Sequence, residues 1–266
     1  MKKASSKSPL REPPLRLPGQ SIDEQIIRLS NGKLLNYLLF ALVFFLLASI
    51  GWVQALNQSR INPWFMSIVA APVIAYCAFR FWYTAKEIKR LKLGRDGERA
   101  VAEQLDVLKQ QGATVLHDLV GDRFNLDHVV LSKQGVFVVE TKTRTKPAKG
   151  SPTVTFDGER LLVDGFEPDR NPVTQAQANA RWLAQILRSS TGKEFPVRPV
   201  ILFPGWFVER STEGKKSSVW VLNPHALPSF IENEPKRISE SDLRMASYHL
   251  ERYIKAHAQG FCSTTR

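Results

Sequence analysis

The sequence predicts an α/β domain, a mixed β-sheet flanked by helices, preceded by a two-helix transmembrane hairpin. Two observations predict it. Two long apolar runs lie in the first ninety residues, and beyond them the order is helix, three strands, a small hairpin, helix, two strands, helix, which suits a mixed sheet covered by helices. The chain of 266 residues carries a formal net charge of +12, which favours partners bearing phosphate or anionic lipid. Its cysteines, Cys77 in an apolar run and Cys262 near the end, argue against a disulfide framework and fit a reducing compartment. No cysteine–histidine grouping has zinc spacing, and there is no internal repeat.

Residues 1–33 are polar and rich in proline, serine and basic residues, a composition that cannot build a core and reads as a flexible basic arm. Within it "SIDEQIIRL" has the pattern of a short amphipathic helix. Leu34–Leu56 is uncharged and about as long as the roughly 20 residues a bilayer-spanning helix needs. Pro63–Tyr83 is the second span; its one charge, Arg80, lies near the end, where it can snorkel. Trp52, Trp64, Trp82 and Tyr83 fall near the span ends, as an interfacial aromatic belt requires, and Pro72 is tolerable inside a membrane helix. A core hairpin would carry polar residues at helical period, and a signal peptide would begin nearer Met1 with no second span after it. Basic residues crowd before Leu34 and after Tyr83, whereas the intervening loop has only Arg60. By the positive-inside rule both termini, and the domain at 84–266, face the cytoplasm of a cell's inner (plasma) membrane.

In that domain "GRDGERAVAEQLDVLKQQG" reads as a helix, because Ala100, Val101, Leu105 and Leu108 recur at helical spacing and Gly112 supplies a stop. "ATVLHDLV", "LDHVVLS" and "GVFVVETKT" read as strands, the last two joined by a short turn at Lys133 and Gln134. "PTVTFDG" and "RLLVDG" read as a smaller, more exposed hairpin. "NPVTQAQANARWLAQILRSS" reads as a helix capped by Asn171 with Pro172 in its first turn. "VRPVILFP" and "SSVWVLN" read as strands, and "SESDLRMASYHLERYIKAHA" as a closing amphipathic helix with Ser239 or Ser241 as cap.

The chemistry centres on the end of "GVFVVETKTRTK". Side chains alternate along a strand, so Glu140 and Lys142 share a face. If Lys133 and Gln134 form a two-residue loop, Asp127 lies opposite Glu140, with Cβ atoms about 5 Å apart. If Gly135 joins a three-residue loop with a bulge, Asp127 faces Thr141 instead. Opposed carboxylates repel unless a divalent cation lies between them, and Mg²⁺ (or Mn²⁺) suits such a pair. Lys142 would then orient a water or stabilise charge on a phosphoryl oxygen. The run Lys142, Arg144, Lys146 and Lys149 is either a solvated basic loop or a phosphate-contact strip. His128 points to the face opposite Asp127 and reads as a packed strand histidine, while Asp118 and Asp122 read as loop residues.

Asp127 followed by Glu140-Thr141-Lys142 resembles the PD-(D/E)xK nuclease superfamily, whose sheet is restriction-endonuclease-like. The wording "GRDGERAVAEQL", "NLDHVVLSKQGVFVVETKT" and "NPVTQAQANARWL" is similar to the nuclease-related domain, NERD, over residues 94–204. The resemblance implies that Asp127 and Glu140 are metal-binding carboxylates and Lys142 the catalytic lysine. It implies that Glu98 helps to hold the metal and that Gln175, or Gln177 in its place, lines the site. Leu126 occupies the position of the motif's proline, which is not a ligand. The implied activity is Mg²⁺-dependent hydrolysis of nucleic acid, DNA in the first instance, by an enzyme anchored in the lipid bilayer. Two other readings stay open: a non-catalytic module of the same fold that binds nucleic acid or protein at the membrane, and a membrane scaffold with no nucleic-acid partner.

Overall fold

A computed structural model describes residues 15–57, 62–121, 124–146 and 152–263. The chain forms two compact units, Ser21–Leu93 on the one hand and Met1–Gln20 with Gly94–Arg266 on the other. The basic arm before Leu15, most of the loop between the apolar runs, Asp122 and Lys149 lie outside the described residues.

The first unit begins with α1 (Gln20–Arg28), the amphipathic helix expected from "SIDEQIIRL". A π-helical turn, Leu29–Leu34, leads into α2 (Leu35–Leu56). Then comes α3, which runs unbroken from Pro63 to Gln110. The sequence predicts two separate helices here, 63–83 and one from Gly94. They are continuous because "TAKEIKRLKL" between them consists largely of good helix formers and contains no breaker. By length and composition both apolar helices can cross a membrane. Of their side chains in 34–83 only Gly51, Ala70 and Cys77 are buried, so they do not form the core of a soluble hairpin. Gly51 lies against Met66 and Pro63 of α3, where a Cβ would make ordinary van der Waals contact at 3.6 Å. Trp52 Nε1 donates to Ser67 Oγ at 3.0 Å, and the Trp52 and Trp64 rings meet edge-to-face at 5.3 Å. Arg80 Nε donates to Tyr37 Oη at 3.2 Å.

The second unit is a mixed α/β domain. Its main sheet has the order β1 (Thr114–Val120), β2 (Asn125–Ser132), β3 (Gly135–Thr141), β6 (Val197–Leu202), β8 (Trp220–Leu222). The first two pairings are antiparallel; β3–β6 and β6–β8 are parallel. Strand β3 is apolar on both faces because both are covered. Val136 and Val138 pack toward α4 (Pro172–Thr191) and α7 (Glu240–Ser263). Phe137 and Val139 pack toward Val101, Leu105 and Leu108 of α3 and toward α6 (Leu227–Glu232). Each such side chain contributes about 1.5–3 kcal/mol through burial. Asn171 caps α4, its Oδ1 accepting from Val173 N at 2.9 Å and Thr174 N at 3.4 Å, with Pro172 following. Gly192, at φ 70°, ends the helix in the left-handed conformation. Ser239 caps α7 through Asp242 N at 3.1 Å.

The small hairpin departs from expectation. β4 (Thr153–Phe156) and β5 (Leu161–Val163) join β7 (Phe207–Arg210) in a second, three-stranded sheet. Its Val154, Phe156 and Leu161 are buried with Val173, Ala176 and Phe203. The hairpin is therefore a packed sublayer and not an exposed appendage. A five-residue helix, α5 (Thr212–Lys216), and a 3₁₀ turn, Pro224–Ala226, fill the links around β8.

Candidate active site

The β2–β3 turn holds only Lys133 and Gln134, with Ser132 paired to Gly135 and the ladder running to His128 opposite Val139. Continued by one rung, that register sets Asp127 across from Glu140, as the two-residue loop requires. The rung itself is not made by main chain. Thr141 N donates instead to Asp127 Oδ2 at 2.6 Å.

Glu140 continues the face of Val136 and Val138 and so points toward α4, where it is 5% exposed. Its Oε1 accepts from Lys142 Nζ at 2.8 Å and from Gln175 Nε2 at 2.8 Å. Lys142 Nζ also donates to Gln175 Oε1 at 3.0 Å, which closes a three-membered ring of hydrogen bonds. Glu140 Oε2 accepts from Asn179 Nδ2 at 3.1 Å. Asn179 is a site residue that sequence reasoning missed. It lies one helical turn beyond Gln175 on the buried stripe of α4, among Ala176, Ala180 and Leu183, and a polar residue on an apolar stripe was the available signal.

Asp118 was missed as well. It is a buried residue of β1, not a loop residue. The β1–β2 register, with His117 opposite His128 and Leu119 opposite Leu126, places it across from Asp127. Asp118 takes φ 51°, a conformation aspartate tolerates, and the ladder skips its rung. Its Oδ2 accepts from Arg16 Nε at 2.7 Å, and both side chains are only 4% exposed. Asn125 Nδ2 reaches its Oδ1 at 3.4 Å.

Glu98 enters from α3 and is 8% exposed. Gly97 fixes the approach: a Cβ there would lie 1.9 Å from Thr143 Oγ1, so only glycine lets the helix pack on the chain beyond β3. The backbone N–H of Gly19 bonds the Glu98 carboxylate. Burial, then the charges of Asp118 and Glu140, push the Glu98 carboxyl up to about 8. Burial, then the charges of Glu140 and Glu98, raise that of Asp127 well above the usual range, against the lowering pull of the Thr141 N–H and Lys142. Glu98, Asp127 and Glu140 thus act on one another electrostatically, with Lys142 as a cation among them.

Beyond the strand end, Arg144 and Lys146 are exposed. Lys142, Gln175, Arg144 and Arg170 line a cleft of about 380 Å³. His128 is fully buried, its Nδ1 2.9 Å from that of His117 on β1. It faces away from the carboxylates, in keeping with a packed strand histidine.

Residues 93–204 match the family model NERD, nuclease-related domain. Over that segment the chain is similar to nuclease-related domains, which belong to the PD-(D/E)xK-like nuclease superfamily. No curated protein and no solved structure matches the chain.

Superfamily members generally use divalent metals. Among the described residues no group of three or more His, Cys, Asp and Glu side chains is gathered closely enough to hold a metal ion as those side chains lie. Asp127 Oδ2 and both Glu140 oxygens accept from protein N–H groups. In kind the donors fit a hard cation, being carboxylate oxygens with no sulfur among them. Burial first, and the neighbouring carboxylates second, raise the Asp127 and Glu98 carboxyls.

The raised carboxyls predict an unusual stability profile in protein stripped with EDTA. Between 4.5, the ordinary value, and about 8 the folded chain keeps the Glu98 proton that the unfolded chain has lost. That stabilisation is fully present below pH 4.5 and is lost as pH rises through about 8. His117 supplies the opposite limb. Burial lowers its pKa from 6.5 to about 4, so its contribution is present above 6.5 and lost as pH falls through about 4. Thermal melts should peak in the weakly acidic range and fall toward alkaline pH. Glu98→Gln should make the alkaline fall shallower and leave the acid limb as it is. An alkaline limb of unchanged steepness in Glu98→Gln would contradict this assignment.

Proposed function

We propose that the chain is a membrane-anchored, metal-dependent nuclease that hydrolyses phosphodiester bonds of DNA. The observation that supports this best is the gathering of Glu98, Asp127, Glu140, Lys142 and Gln175 at the end of β3, within the nuclease-related segment. Glu98, Asp127 and Glu140 would hold Mg²⁺ or Mn²⁺. A metal bound there supplies an acidified water and positive charge for the phosphoryl oxygens. The protein's own parts do the rest. Asn179 and Gln175 hold Glu140 in one rotamer. Gln175 and Glu140 hold the Lys142 ammonium, 29% exposed, at the mouth of the cleft, where it stabilises charge developing on a non-bridging oxygen. Arg144 and Lys146 bind phosphates without reading sequence, and Lys149, outside the described residues, belongs to the same proposed strip.

The test is a divalent-metal titration of the purified full chain with plasmid, linear and single-stranded substrates side by side. Cleavage that needs Mg²⁺ or Mn²⁺ and stops in EDTA is expected; no cleavage of any substrate would sink the enzyme reading. One observation favours the second reading, a non-catalytic nucleic-acid- or protein-binding module: the carboxylate oxygens are already engaged by protein donors. That reading expects nucleic acid to bind with no cleavage and with indifference to Asp127→Asn.

The anchoring reading takes 34–56 and 63–83 as the spans of a membrane hairpin, 1–33 as a cytoplasmic arm and 84–266 as the cytoplasmic domain. It rests on two helices of spanning length and on basic residues crowding at their outer ends. A phosphatase fused after Tyr83 should be inactive, and one fused in the 57–62 loop active. The reverse pattern would put the nuclease-related domain on the other side of the membrane.

A further inference from the structure

The small sheet ends in a feature that the proposed chemistry does not use. Asp164 and Gly165, at φ 53° and 80°, form a tight primed turn after β5. Val163 N donates to Phe166 O at 2.9 Å, and Phe166 N to Val163 O at 3.1 Å. Asp164 N donates to Thr153 O at 2.9 Å, which ties the turn to β4. On this rigid support the Phe166 side chain is 76% exposed. A phenyl ring so exposed gains little from its own fold.

Its surroundings suggest what would cover it. Phe166 lines a cleft of about 290 Å³ together with Arg144, Lys146, Asp164 and Glu167. Arg144, Val163 and Pro168 line both this cleft and the cleft of about 380 Å³ that holds Lys142, Gln175 and Arg170. The two therefore adjoin, and a path runs from the carboxylate site to the ring. Its composition is graded. Lys142, Arg144 and Arg170 face one acid, Asp169, at the site end, whereas around Phe166 Asp164 and Glu167 stand with Arg144 and Lys146, so the excess of positive charge falls toward the ring. Phosphates suit the first end. At the second, a base stacks on the ring while carboxylates accept from its exocyclic amino group. In a duplex the base faces are already stacked and out of a protein ring's reach, so the ring selects an unpaired base.

We propose that Phe166 is a stacking platform, and that the path from Lys142 past Arg144 to Phe166 binds a single strand of nucleic acid, with Arg170 as a phosphate contact at the site end. This rests on the nuclease reading and narrows it to single-stranded substrates or the unpaired ends of duplexes.

Binding is read without cleavage, so that failure here is distinct from failure of the enzyme reading. The full chain in detergent micelles is titrated, in EDTA, into a fluorescent single-stranded oligonucleotide and into the duplex of the same sequence. Phe166→Ala should weaken single-strand affinity about 5- to 150-fold, the range of one lost base stack, and leave duplex affinity nearly unchanged. Phe166→Trp should restore it, which separates stacking from misfolding. Arg170→Ala should weaken both ligands and flatten the salt dependence by roughly one counterion. Phe207, 64% exposed in β7 but outside both clefts, is the control, and Phe207→Ala should bind as wild type. Single-strand affinity unmoved by Phe166→Ala, or lost equally for duplex, overturns the proposal. So does a result in which Phe166→Ala and Phe207→Ala both reduce co-sedimentation with phosphatidylserine vesicles but leave single-strand affinity intact, since the ring would then serve the membrane.

Discussion

Replacing Lys142 by alanine is expected to lower Mg²⁺-dependent cleavage by about 100- to 1,000-fold, the cost of losing one donor aimed at developing charge. The fold should survive, because Lys142 lies just beyond β3 and is 29% exposed. Glu140 keeps its bonds to Gln175 and Asn179 in the variant. Metal affinity, read by calorimetry, should be largely retained, since the ammonium is not a ligand. Lys142→Arg should recover part of the rate. Cleavage by Lys142→Ala within about threefold of wild type would remove the lysine from the mechanism. The carboxylates should differ from one another in metal-free protein. By the sequence alone, replacing either Asp127 or Glu140 relieves repulsion and raises stability. The structure separates them. Asp127→Asn relieves a strongly raised carboxyl, whereas Glu140→Ala leaves Lys142, Gln175 and Asn179 without their common acceptor. Only the Asp127 variant should melt higher than wild type in EDTA.

The second large effect lies in the segment that precedes α1. Arg16→Ala should cost the nuclease-related unit about 3–5 kcal/mol, the usual result of removing one member of a buried ion pair. Both side chains are almost inaccessible, so solvent does not screen the loss. The remaining Asp118 charge would also act on Glu98, whose carboxyl it already raises. The double variant Arg16→Met/Asp118→Asn should recover part of the stability, since no unpaired charge is then left buried and asparagine keeps the left-handed conformation of position 118. Denaturant unfolding of the full chain, followed by tryptophan fluorescence, measures both. A loss below about 0.5 kcal/mol for Arg16→Ala would mean that Leu15–Gln20 does not pack on the domain as described.

What the sequence disclosed, and what it withheld, follows from the range of each interaction. Asp127 and Glu140 could be paired by counting because their turn has two residues and flanking strands with unbroken apolar patterns. The same count across the β1–β2 link would have aligned Asp118 with Asp127, but "GDRFN" offers no fixed loop length, and nothing local announces a left-handed aspartate within a strand. Gln175 came from the family resemblance. Asn179 was legible in retrospect, as a polar residue on the stripe that carries Ala176, Ala180 and Leu183. Arg16 could not be read from an arm of prolines and basic residues, because its meaning lies in a partner 102 positions away. Strand β7 is four residues long, and its place beside β4 depends on parallel pairing across some fifty residues, so "FVER" carries no signal of its own.

The central claim is that Glu98, Asp127 and Glu140 form a metal site and not a structural acid cluster. Crystals of the full chain grown with Mn²⁺ test it through the anomalous signal of the ion. The account predicts a peak about 2.1 Å from carboxylate oxygens of both Asp127 and Glu140, with Glu98 beside it and the Thr141 N–H freed from Asp127. No peak at saturating Mn²⁺, with Asp127 still on Thr141 and Glu140 still held by Lys142, Gln175 and Asn179, would contradict it.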